Sequence, residues 1–338
     1  MSGTEFDIIR RYFTRQDSNR SDVITGIGDD AALLHVPAGM ELVVCMDTLV
    51  DGVHFPTGTP AAAIGHKVLA VNLSDLAAMG ADPAWVTLSI TIPASAPHWL
   101  ADFSQAFFKL ADRYQVQLVG GDTTQGPLAV TVQAHGFVPE GLALRRQGAQ
   151  AGDHIYVTGT LGDAGLALQL AGDAGAELQH RLDYPEPRVA AGQALRGIAS
   201  ATIDVSDGLL ADLGHLLESE QLGAALSIDD LPRSNAFRER VKRCGTEARA
   251  LFLNLPLSAG DDYELCFTVP GAALQQLATA QAQLSCACTY VGRVEEAPGI
   301  RCYTADGKVY EPATTGYQHF GASQIGRASC RERVSLTV

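Results

Sequence analysis

The 338-residue sequence lacks the short motifs that mark the common nucleotide-phosphate and zinc sites. It contains no Gly-x-x-x-x-Gly-Lys-[Ser/Thr] loop and no His-Arg-Asp catalytic loop, so neither of those phosphate cradles is available. It also lacks a His-Glu-x-x-His motif and paired Cys-x-x-Cys spacings, which argues against zinc. Any phosphate chemistry in this chain must therefore use a different set of ligands.

Positive charge is scarce, with 24 Lys and Arg against 38 Asp and Glu and a formal net charge of −14. Nucleic acids and anionic membrane surfaces demand clustered Lys and Arg, so the sequence predicts neither as a partner. No apolar run reaches the ~18 residues that a membrane-spanning helix needs, and the N-terminus has no long apolar core. We therefore expect a soluble, cytoplasmic protein.

Cysteine use points to the same compartment. The seven cysteines are odd in number, scattered, and mostly placed inside apolar runs. This usage predicts reduced core residues in a cytosolic protein rather than a disulfide framework. Cys286-Ala287-Cys288 would supply half of a metal site, but the sequence has no second pair to complete one.

The length favours two domains over one, and 46% hydrophobic residues are enough to build a sizeable core. Apolar periodicity predicts strands and helices mixed in both halves, which gives an α/β (α+β) protein with mixed sheets and flanking helices. A polar, Gly-containing stretch at 148–153 marks the predicted domain boundary. We expect an N-terminal domain over 1–148 and a C-terminal α/β domain over 149–322.

The predicted elements place several aspartates at the ends of strands. Asp47 follows a strand at 41–46, and Gly120-Gly121-Asp122 follows a strand at 116–119. Asn72 and Asp75 share one face of a helix over 60–79. The remaining predicted strands are 85–92, 128–138, 154–158, 201–205, 263–269 and 288–294, and the remaining helices are 5–13, 100–114, one starting at 166–171, 189–198, 208–218 and 272–283.

In place of the missing motifs, the sequence has a series of short acidic segments. They are Gly26-Ile27-Gly28-Asp29-Asp30, Asp47, Asn72-Leu73-Ser74-Asp75, Gly120-Gly121-Asp122, Asp204-Val205-Ser206-Asp207-Gly208 and Gly260-Asp261-Asp262. Mg²⁺ prefers oxygen ligands and binds phosphates with only a few protein carboxylates. Each aspartate alone also fits a helix cap or a turn. Their number favours one divided site for hard cations and phosphate oxygens.

The last residues break the acidic pattern, because three arginines fall within 325–334. A nucleic-acid-binding tail is one interpretation, and a non-native extension is the one we favour. We expect residues 323–338 to be disordered.

The acidic segments and their neighbours together resemble the motif set of thiamine-monophosphate kinases. The resemblance runs in order from about Glu5 to Phe320, through residues 26–30, 47–50, 52–55, 70–83, 120–123, 157–159, 204–209 and 262–265. That family belongs to the fold group of aminoimidazole ribonucleotide synthetase and selenophosphate synthetase. The resemblance implies the two-domain fold of that group and a homodimer formed through the N-terminal sheets. It also implies ATP-dependent phosphorylation of thiamine monophosphate to thiamine diphosphate with several Mg²⁺ ions.

The resemblance also implies roles for particular residues, none of which forms a covalent intermediate. Expected Mg²⁺ ligands are Asp30, Asp47, Asp75, Asp122, Asp204 and Asp207; expected ATP contacts are Gly121, Asp122, Arg146 and Ser206; expected thiamine-phosphate contacts are His54, Asp261 and Tyr317. Simpler roles remain open for three of them. Arg146 also fits a surface arginine, His54 an exposed structural histidine, and Tyr317 a core residue.

Two positions depart from the pattern of the relatives. Relatives often carry Ser or Thr directly before the aspartate at 47, whereas Cys45 and Met46 stand here and leave only a backbone carbonyl as ligand. Relatives also usually show Gly-Gly-Glu-Asp where this chain has Ala259-Gly260-Asp261-Asp262, so the acid at 261 is one methylene shorter.

Three functional hypotheses follow from the sequence. The first is the kinase, for which phosphoryl transfer needs alignment and charge neutralisation rather than a covalent nucleophile. The second is another ATP-using enzyme of the same fold group, and the third is a non-catalytic Mg²⁺ or nucleotide sensor. The elements Gly260-Asp261-Asp262-Tyr263-Glu264 and Gly316-Tyr317 favour the first.

Overall fold

A computed structural model describes residues 4–15 and 20–317 of the chain, and the tail predicted to be disordered lies outside these residues. The described chain forms two compact units. The N-terminal unit takes the described residues up to Leu76 and Ala81–Gly141, and the C-terminal unit takes Ala77–Gly80 and the described residues from Leu142 onward. The division at Gly141 precedes the polar stretch at 148–153 by a few residues. The roles assigned to 1–148 and 149–322 stay predictions.

The N-terminal unit is built on a four-stranded sheet whose strand order is β3-β6-β4-β5. Strands β3, β6 and β4 pair antiparallel, and β4 pairs parallel with β5. A separate ribbon of β1 and β2 precedes the sheet. The elements are α1 Glu5–Ile8, a π-helical turn Ile9–Phe13, β1 Val23–Thr25, β2 Leu33–Leu34, β3 Met40–Val50, α2 Ala61–Ala78, β4 Asp82–Ile92, α3 Pro97–Arg113, β5 Gln117–Gln125 and β6 Ala129–Pro139.

Strand β3 has two unlike faces because side chains alternate along a strand. Leu42, Val44 and Met46 point outward and are 43%, 49% and 62% exposed. Cys45 lies on the other face, where its Sγ is 3.4 Å from the carbonyl oxygen of Asn72 in α2. The outward side of this edge strand is therefore an exposed apolar stripe.

The prediction that Asp47 and Asp122 follow the ends of their strands is wrong. Strand β3 continues through Asp47 and pairs with β6 over its whole length, from Met40 opposite Pro139 to Val50 opposite Ala129. Strand β5 likewise continues through Asp122, which pairs with Ser89 of β4. Both strands continue because their backbones pair with a neighbouring strand, even though Asp and Gly residues are typical strand breakers in sequence.

The C-terminal unit is built on a seven-stranded sheet of order β13-β12-β9-β11-β7-β10-β8. All neighbours pair antiparallel except β12 and β9, which pair parallel. The elements are β7 His154–Thr158, α4 Asp163–Leu170, α5 Ala176–Asp183, α6 Val189–Ala194, β8 Ala201–Val205, α7 Leu209–Glu218, β9 Gly223–Ser227, α8 Asn235–Val241, α9 Ala248–Ser258, β10 Glu264–Val269, α10 Leu274–Gln281, β11 Cys288–Glu295, β12 Gly299–Tyr303 and β13 Val309–Tyr310.

Two apolar clusters hold this unit together. The larger joins leucines of α7, such as Leu213 and Leu216, to Ile155 of β7 and Ile203 of β8, all fully or almost fully buried. The smaller joins Leu178 of α5 to α4 and α8. The predicted α/β class with mixed sheets and flanking helices is confirmed, and the sequence prediction missed the short strands β9, β12 and β13.

The cysteines only partly match the prediction of core residues. Cys266, Cys288 and Cys302 are buried, whereas Cys45, Cys244 and Cys286 are half-buried, and all six are free thiols. Burial raises the pKa of Cys288 to about 12 and that of Cys302 to about 11, so both stay protonated at neutral pH. Among the described helices, none is long and apolar enough to span a bilayer.

Candidate phosphate and metal site

Strand β8 passes directly into α7 through Ser206, Asp207 and Gly208, which we call the 206–208 loop. The carboxylate of Asp212, one turn into the helix, accepts the N–H groups of these three residues at 3.0, 3.0 and 3.2 Å. Free N–H groups at a helix N-terminus commonly hold phosphate. Here a buried side chain of the same helix already binds them, so the loop is rigid but offers few donors to an anion.

Negative charge is concentrated at this loop. Burial and the charges of Asp204 and Asp207 raise the pKa of Asp212 to about 8, although the N–H groups of Asp207 and Ser206 act in the opposite direction. Asp204 at the end of β8 and Asp212 are 4% and 3% exposed. The neighbouring charges of Asp204 and Asp207 thus disfavour ionisation of Asp212, and carboxylate oxygens such as those of Asp204 and Asp207 are the ligand type that a hard cation such as Mg²⁺ prefers.

The segment before β10 packs against the 206–208 loop. The N–H of Asp261 donates to the carbonyl of Ser206 at 3.0 Å, and the N–H of Tyr263 donates to the carbonyl of Val205 at 2.9 Å. A Cβ at Gly260 would overlap the carbonyl oxygen of Ser206, so only glycine allows this approach. Asp261 is thereby placed beside Ser206.

Gly316 and Tyr317, at the end of the described chain, contact the same loop. The N–H of Tyr317 donates to the carbonyl of Asp207 at 3.0 Å. The preceding Gly316 has φ +140°, and a Cβ there would press on Ala211 of α7. The structure therefore brings together Ser206, Asp207, Asp261 and Tyr317, which are the predicted contacts for ATP, metal and acceptor.

Arg146 lies close to β8 in the C-terminal unit. The carbonyl of the adjacent Arg145 accepts the N–H of Thr202 at 2.8 Å, which places this segment alongside the start of the strand. Arg146 itself is exposed. Its predicted contact with ATP stays a prediction.

In the N-terminal unit, β3 and α2 bring two of the acidic segments together. Cys45, two residues before Asp47, contacts the carbonyl of Asn72, three residues before Asp75. The fully buried Asn72 donates its Nδ2 to the carbonyl of Val68 at 2.9 Å, so this amide is satisfied inside the helix. Asn72 is thus a structural residue, and Asp75 lies one turn further along α2.

Asp122 lies on the strand at the opposite edge of the sheet from Asp47. The register runs from Asp47 to Val132, from Val132 to Leu88, and from Leu88 to Gly121, the neighbour of Asp122. Three strand spacings amount to about 14 Å, whereas Mg²⁺ binds oxygen at about 2.1 Å. These two carboxylates do not bind one ion directly in this arrangement.

The other two residues predicted in this unit lie on loops. Asp30 is exposed between β1 and β2, and its N–H donates to the carboxylate of Asp29 at 2.9 Å. The Nδ1 of His54 accepts the N–H of Val50 at 3.1 Å, so its Nε2 carries the ring proton and can donate. Within residues 4–15 and 20–317, no three His, Cys, Asp or Glu side chains are grouped as a ready metal site. The six-aspartate metal assignment therefore stays a prediction.

An ion cluster around the buried Glu264, which the sequence did not predict, lies at the start of β10. Glu264 is fully buried and accepts the Thr158 hydroxyl at 2.7 Å and the guanidinium groups of Arg181 at 3.0 Å and Arg188 at 2.6 Å. Burial opposes the charge of Arg188, yet its hydrogen bonds with Glu264 and the negative charge of Glu264 raise its pKa above the usual value. The sequence does contain one sign of this cluster, since Glu264 begins an apolar strand and a buried carboxylate needs cationic partners.

Comparisons with known proteins point to one family. The family model described as AIR synthase related protein, N-terminal domain, matches residues 28–138. A thiamine-monophosphate kinase of Salmonella typhimurium is 47% identical over 329 residues, which cover 95% of this chain and 99% of that protein. A thiamine-monophosphate kinase of Escherichia coli is 46% identical, with the same coverage of both chains.

Solved structures show the same similarity. The thiamine-monophosphate kinase of Stenotrophomonas maltophilia has a TM-score of 0.78 and 45% identity, covering 90% of this chain and 96% of that one. The structure of AaThiL complexed with AMPPCP and TMP has a TM-score of 0.72 and 30% identity, covering 87% of this chain and 92% of that one. Escherichia coli HypE, a hydrogenase maturation protein, shares the fold at 20% identity, with a TM-score of 0.68 and coverage of 90% and 96%.

Replacing Glu264 with Gln should destabilise the C-terminal unit. The change leaves the two partly buried guanidinium groups of Arg181 and Arg188 without their anion, which costs about 3 kcal/mol of unfolding free energy. Urea unfolding followed by circular dichroism measures the loss. The matched control is Glu295→Gln, since Glu295 pairs with Arg301 at side-chain exposures of 39% and 32% and should cost under about 1 kcal/mol. Equal stability of the two variants would contradict the role given to Glu264.

Proposed function

Because the chain belongs to the thiamine-monophosphate kinase family, we propose that it transfers the terminal phosphoryl group of ATP to thiamine monophosphate and makes thiamine diphosphate. Relatives of that name align over almost their full length, and a similar structure holds AMPPCP, an ATP analogue, together with TMP. Within this chain, the observation that carries the proposal is the convergence of Asp261 and Tyr317 on the 206–208 loop. That convergence joins a predicted acceptor site to predicted ATP and metal residues.

A coupled assay of ADP release tests this proposal against the two alternatives. The purified protein is given ATP and Mg²⁺ with thiamine monophosphate, thiamine, or an unrelated phosphate monoester as acceptor. The kinase releases ADP only with thiamine monophosphate. Release with another acceptor alone would indicate a different enzyme of the fold group, and binding of ATP without release would indicate a sensor.

We propose direct in-line transfer, without a covalent enzyme intermediate. The acceptor is already a phosphate, so its oxygen attacks without a strong general base once charge repulsion is screened. The chain's part is to align ATP through Gly121, Asp122, Arg146 and Ser206. His54, whose Nδ1 accepts the N–H of Val50, and Tyr317 would orient thiamine monophosphate together with Asp261.

Several Mg²⁺ ions form part of this proposal, held by Asp30, Asp47, Asp75, Asp122, Asp204 and Asp207. The binding of the 206–208 N–H groups by Asp212 supports it, because phosphate at this acidic loop then needs cations to offset its charge. When bound, Mg²⁺ neutralises the phosphate oxygens and the charge that develops during transfer.

Replacing Asp207 with Asn should lower turnover by at least about a hundredfold and raise the Mg²⁺ concentration needed for half-maximal rate, since it removes one proposed ligand. The metal-free protein should keep or gain stability, because Asp204 and Asp212 lose a neighbouring like charge. Kinetics at varied Mg²⁺ and urea unfolding measure the two effects. Asp173→Asn is the control, because it makes the same charge change at an exposed turn. Normal activity of Asp207→Asn at low Mg²⁺ would contradict the assignment.

Replacing Tyr317 with Ala should raise the Michaelis constant for thiamine monophosphate more than that for ATP. A lost stacking face is worth about 0.5–1.5 kcal/mol, which corresponds to at most about tenfold in affinity. Steady-state kinetics with each substrate varied in turn give both constants. Tyr290→Ala, at a 43% exposed tyrosine of β11, should change neither. A rise confined to the ATP constant would count against this acceptor site.

We further propose a cytoplasmic homodimer in which the N-terminal domain supplies the dimer interface. The support is the exposed apolar stripe of Leu42, Val44 and Met46, which a second copy of the chain would cover. Met46→Lys places a charge in that interface and should convert the dimer to a monomer in sedimentation velocity. Leu142→Lys is the control, because this leucine is 43% exposed and lies in the C-terminal unit. A wild-type protein that sediments as a monomer would rule out the proposed dimer.

A further inference from the structure

The segment that carries Asp261 is held in an unusual backbone conformation. Asp261 has φ +68° and Tyr263 has φ +50°, both in the left-handed region that non-glycine residues rarely adopt. Such conformations persist only where the surrounding contacts impose them, and they cluster at functional sites. The contacts that impose this one therefore indicate what the segment does.

Hydrogen bonds fix this backbone on both sides of Tyr263. The N–H groups of Asp261 and Tyr263 donate to the carbonyls of Ser206 and Val205, which extends the pairing of β10 with β8 beyond the end of β8. The buried carboxylate of Asp262 accepts the N–H of Gly162 at 2.7 Å. With Glu264 held by its arginines, the segment has little freedom to relax.

This backbone brings the side chains of Tyr263 and Asp261 together. The Tyr263 hydroxyl donates to Oδ1 of Asp261 at 3.1 Å, and the two residues are 4% and 1% exposed. A carboxylate is only an acceptor when ionised, so this O–H fixes the orientation of one of its two oxygens. The orientation of the acid is thus determined by a neighbouring side chain rather than by solvent.

We propose that Tyr263 is a positioning residue for Asp261, whose hydroxyl holds that carboxylate in the orientation that meets thiamine monophosphate. The inference rests on the proposed function, because it takes Asp261 as an acceptor contact. If Tyr263 were only a core residue, its ring alone would be needed. Its hydroxyl has a second role because it donates a hydrogen bond to Asp261, the buried acid beside Ser206.

Tyr263→Phe separates these two roles because it keeps the ring and removes only the hydroxyl. We expect the Michaelis constant and the dissociation constant for thiamine monophosphate to rise about tenfold, as for a lost hydrogen bond to a charged group. Turnover and the Michaelis constant for ATP should stay within about twofold of the wild type. Steady-state kinetics and isothermal titration calorimetry with thiamine monophosphate measure these values.

Tyr310→Phe is the matched control, because its hydroxyl donates to Oδ1 of Asn254 at 2.9 Å in the same unit and contacts none of the proposed site residues. It should leave all kinetic constants unchanged. Urea unfolding of both variants shows whether a kinetic change merely follows a loss of stability.

A double-mutant cycle with Asp261→Ala tests whether Tyr263 acts through Asp261. If it does, Tyr263→Phe has no further effect on the thiamine monophosphate constant in the Asp261→Ala background. Equal effects in both backgrounds, or a wild-type constant in Tyr263→Phe, would overturn the inference. Failure of the proposed function is distinct, since the wild-type protein would then not phosphorylate thiamine monophosphate at all.

Discussion

The carboxylate of Asp212 organises the C-terminal unit around the 206–208 loop. By binding three successive N–H groups, it holds the passage from β8 to α7 in one conformation from inside the helix. The loop carbonyls remain available, and they accept the N–H groups of Asp261 and Tyr317. Because Gly260 and Gly316 carry no Cβ, both segments approach the loop backbone closely. One buried acid thus provides the rigid surface on which the other site residues are placed.

Glu264 and Asp212, two buried acids of this unit, have different hydrogen-bonding partners, and the difference affects which ligands the 206–208 loop can bind. Glu264 is neutralised by two guanidinium groups, so its charge is used within the fold. Asp212 is held by backbone N–H groups and lies near the charges of Asp204 and Asp207. The charge of Glu264 is balanced by cations, whereas at the loop carboxyl groups lie close enough to one another to raise the pKa of Asp212. An acidic loop whose amide donors are already engaged is suited to cations with phosphate rather than to phosphate alone.

The two faces of β3 have different surroundings, because successive side chains of a strand point to opposite sides. Odd-numbered Cys45 contacts α2, next to the segment that carries Asp75, while even-numbered Leu42, Val44 and Met46 form the exposed stripe. A strand with period two can therefore contribute to a proposed metal site on one face and a proposed subunit interface on the other. The side chains of Cys45 and Met46 carry sulfur and no oxygen, so neither adds a hard oxygen ligand beside Asp47.

The sequence by itself determined the α/β class and the identity of the acidic segments, because apolar periodicity and short motifs are local properties. It failed at the ends of β3 and β5, where pairing with β6 and β4 carries each strand through Asp47 and Gly120-Gly121-Asp122. It also gave no sign of which cations meet Glu264, since Arg181 and Arg188 lie 83 and 76 residues away. Only the tertiary structure decided that Asp261 and Tyr317 meet at the 206–208 loop. Contacts between distant segments depend on how strands pair and how closely backbones pack, and neither is encoded in any one stretch of residues.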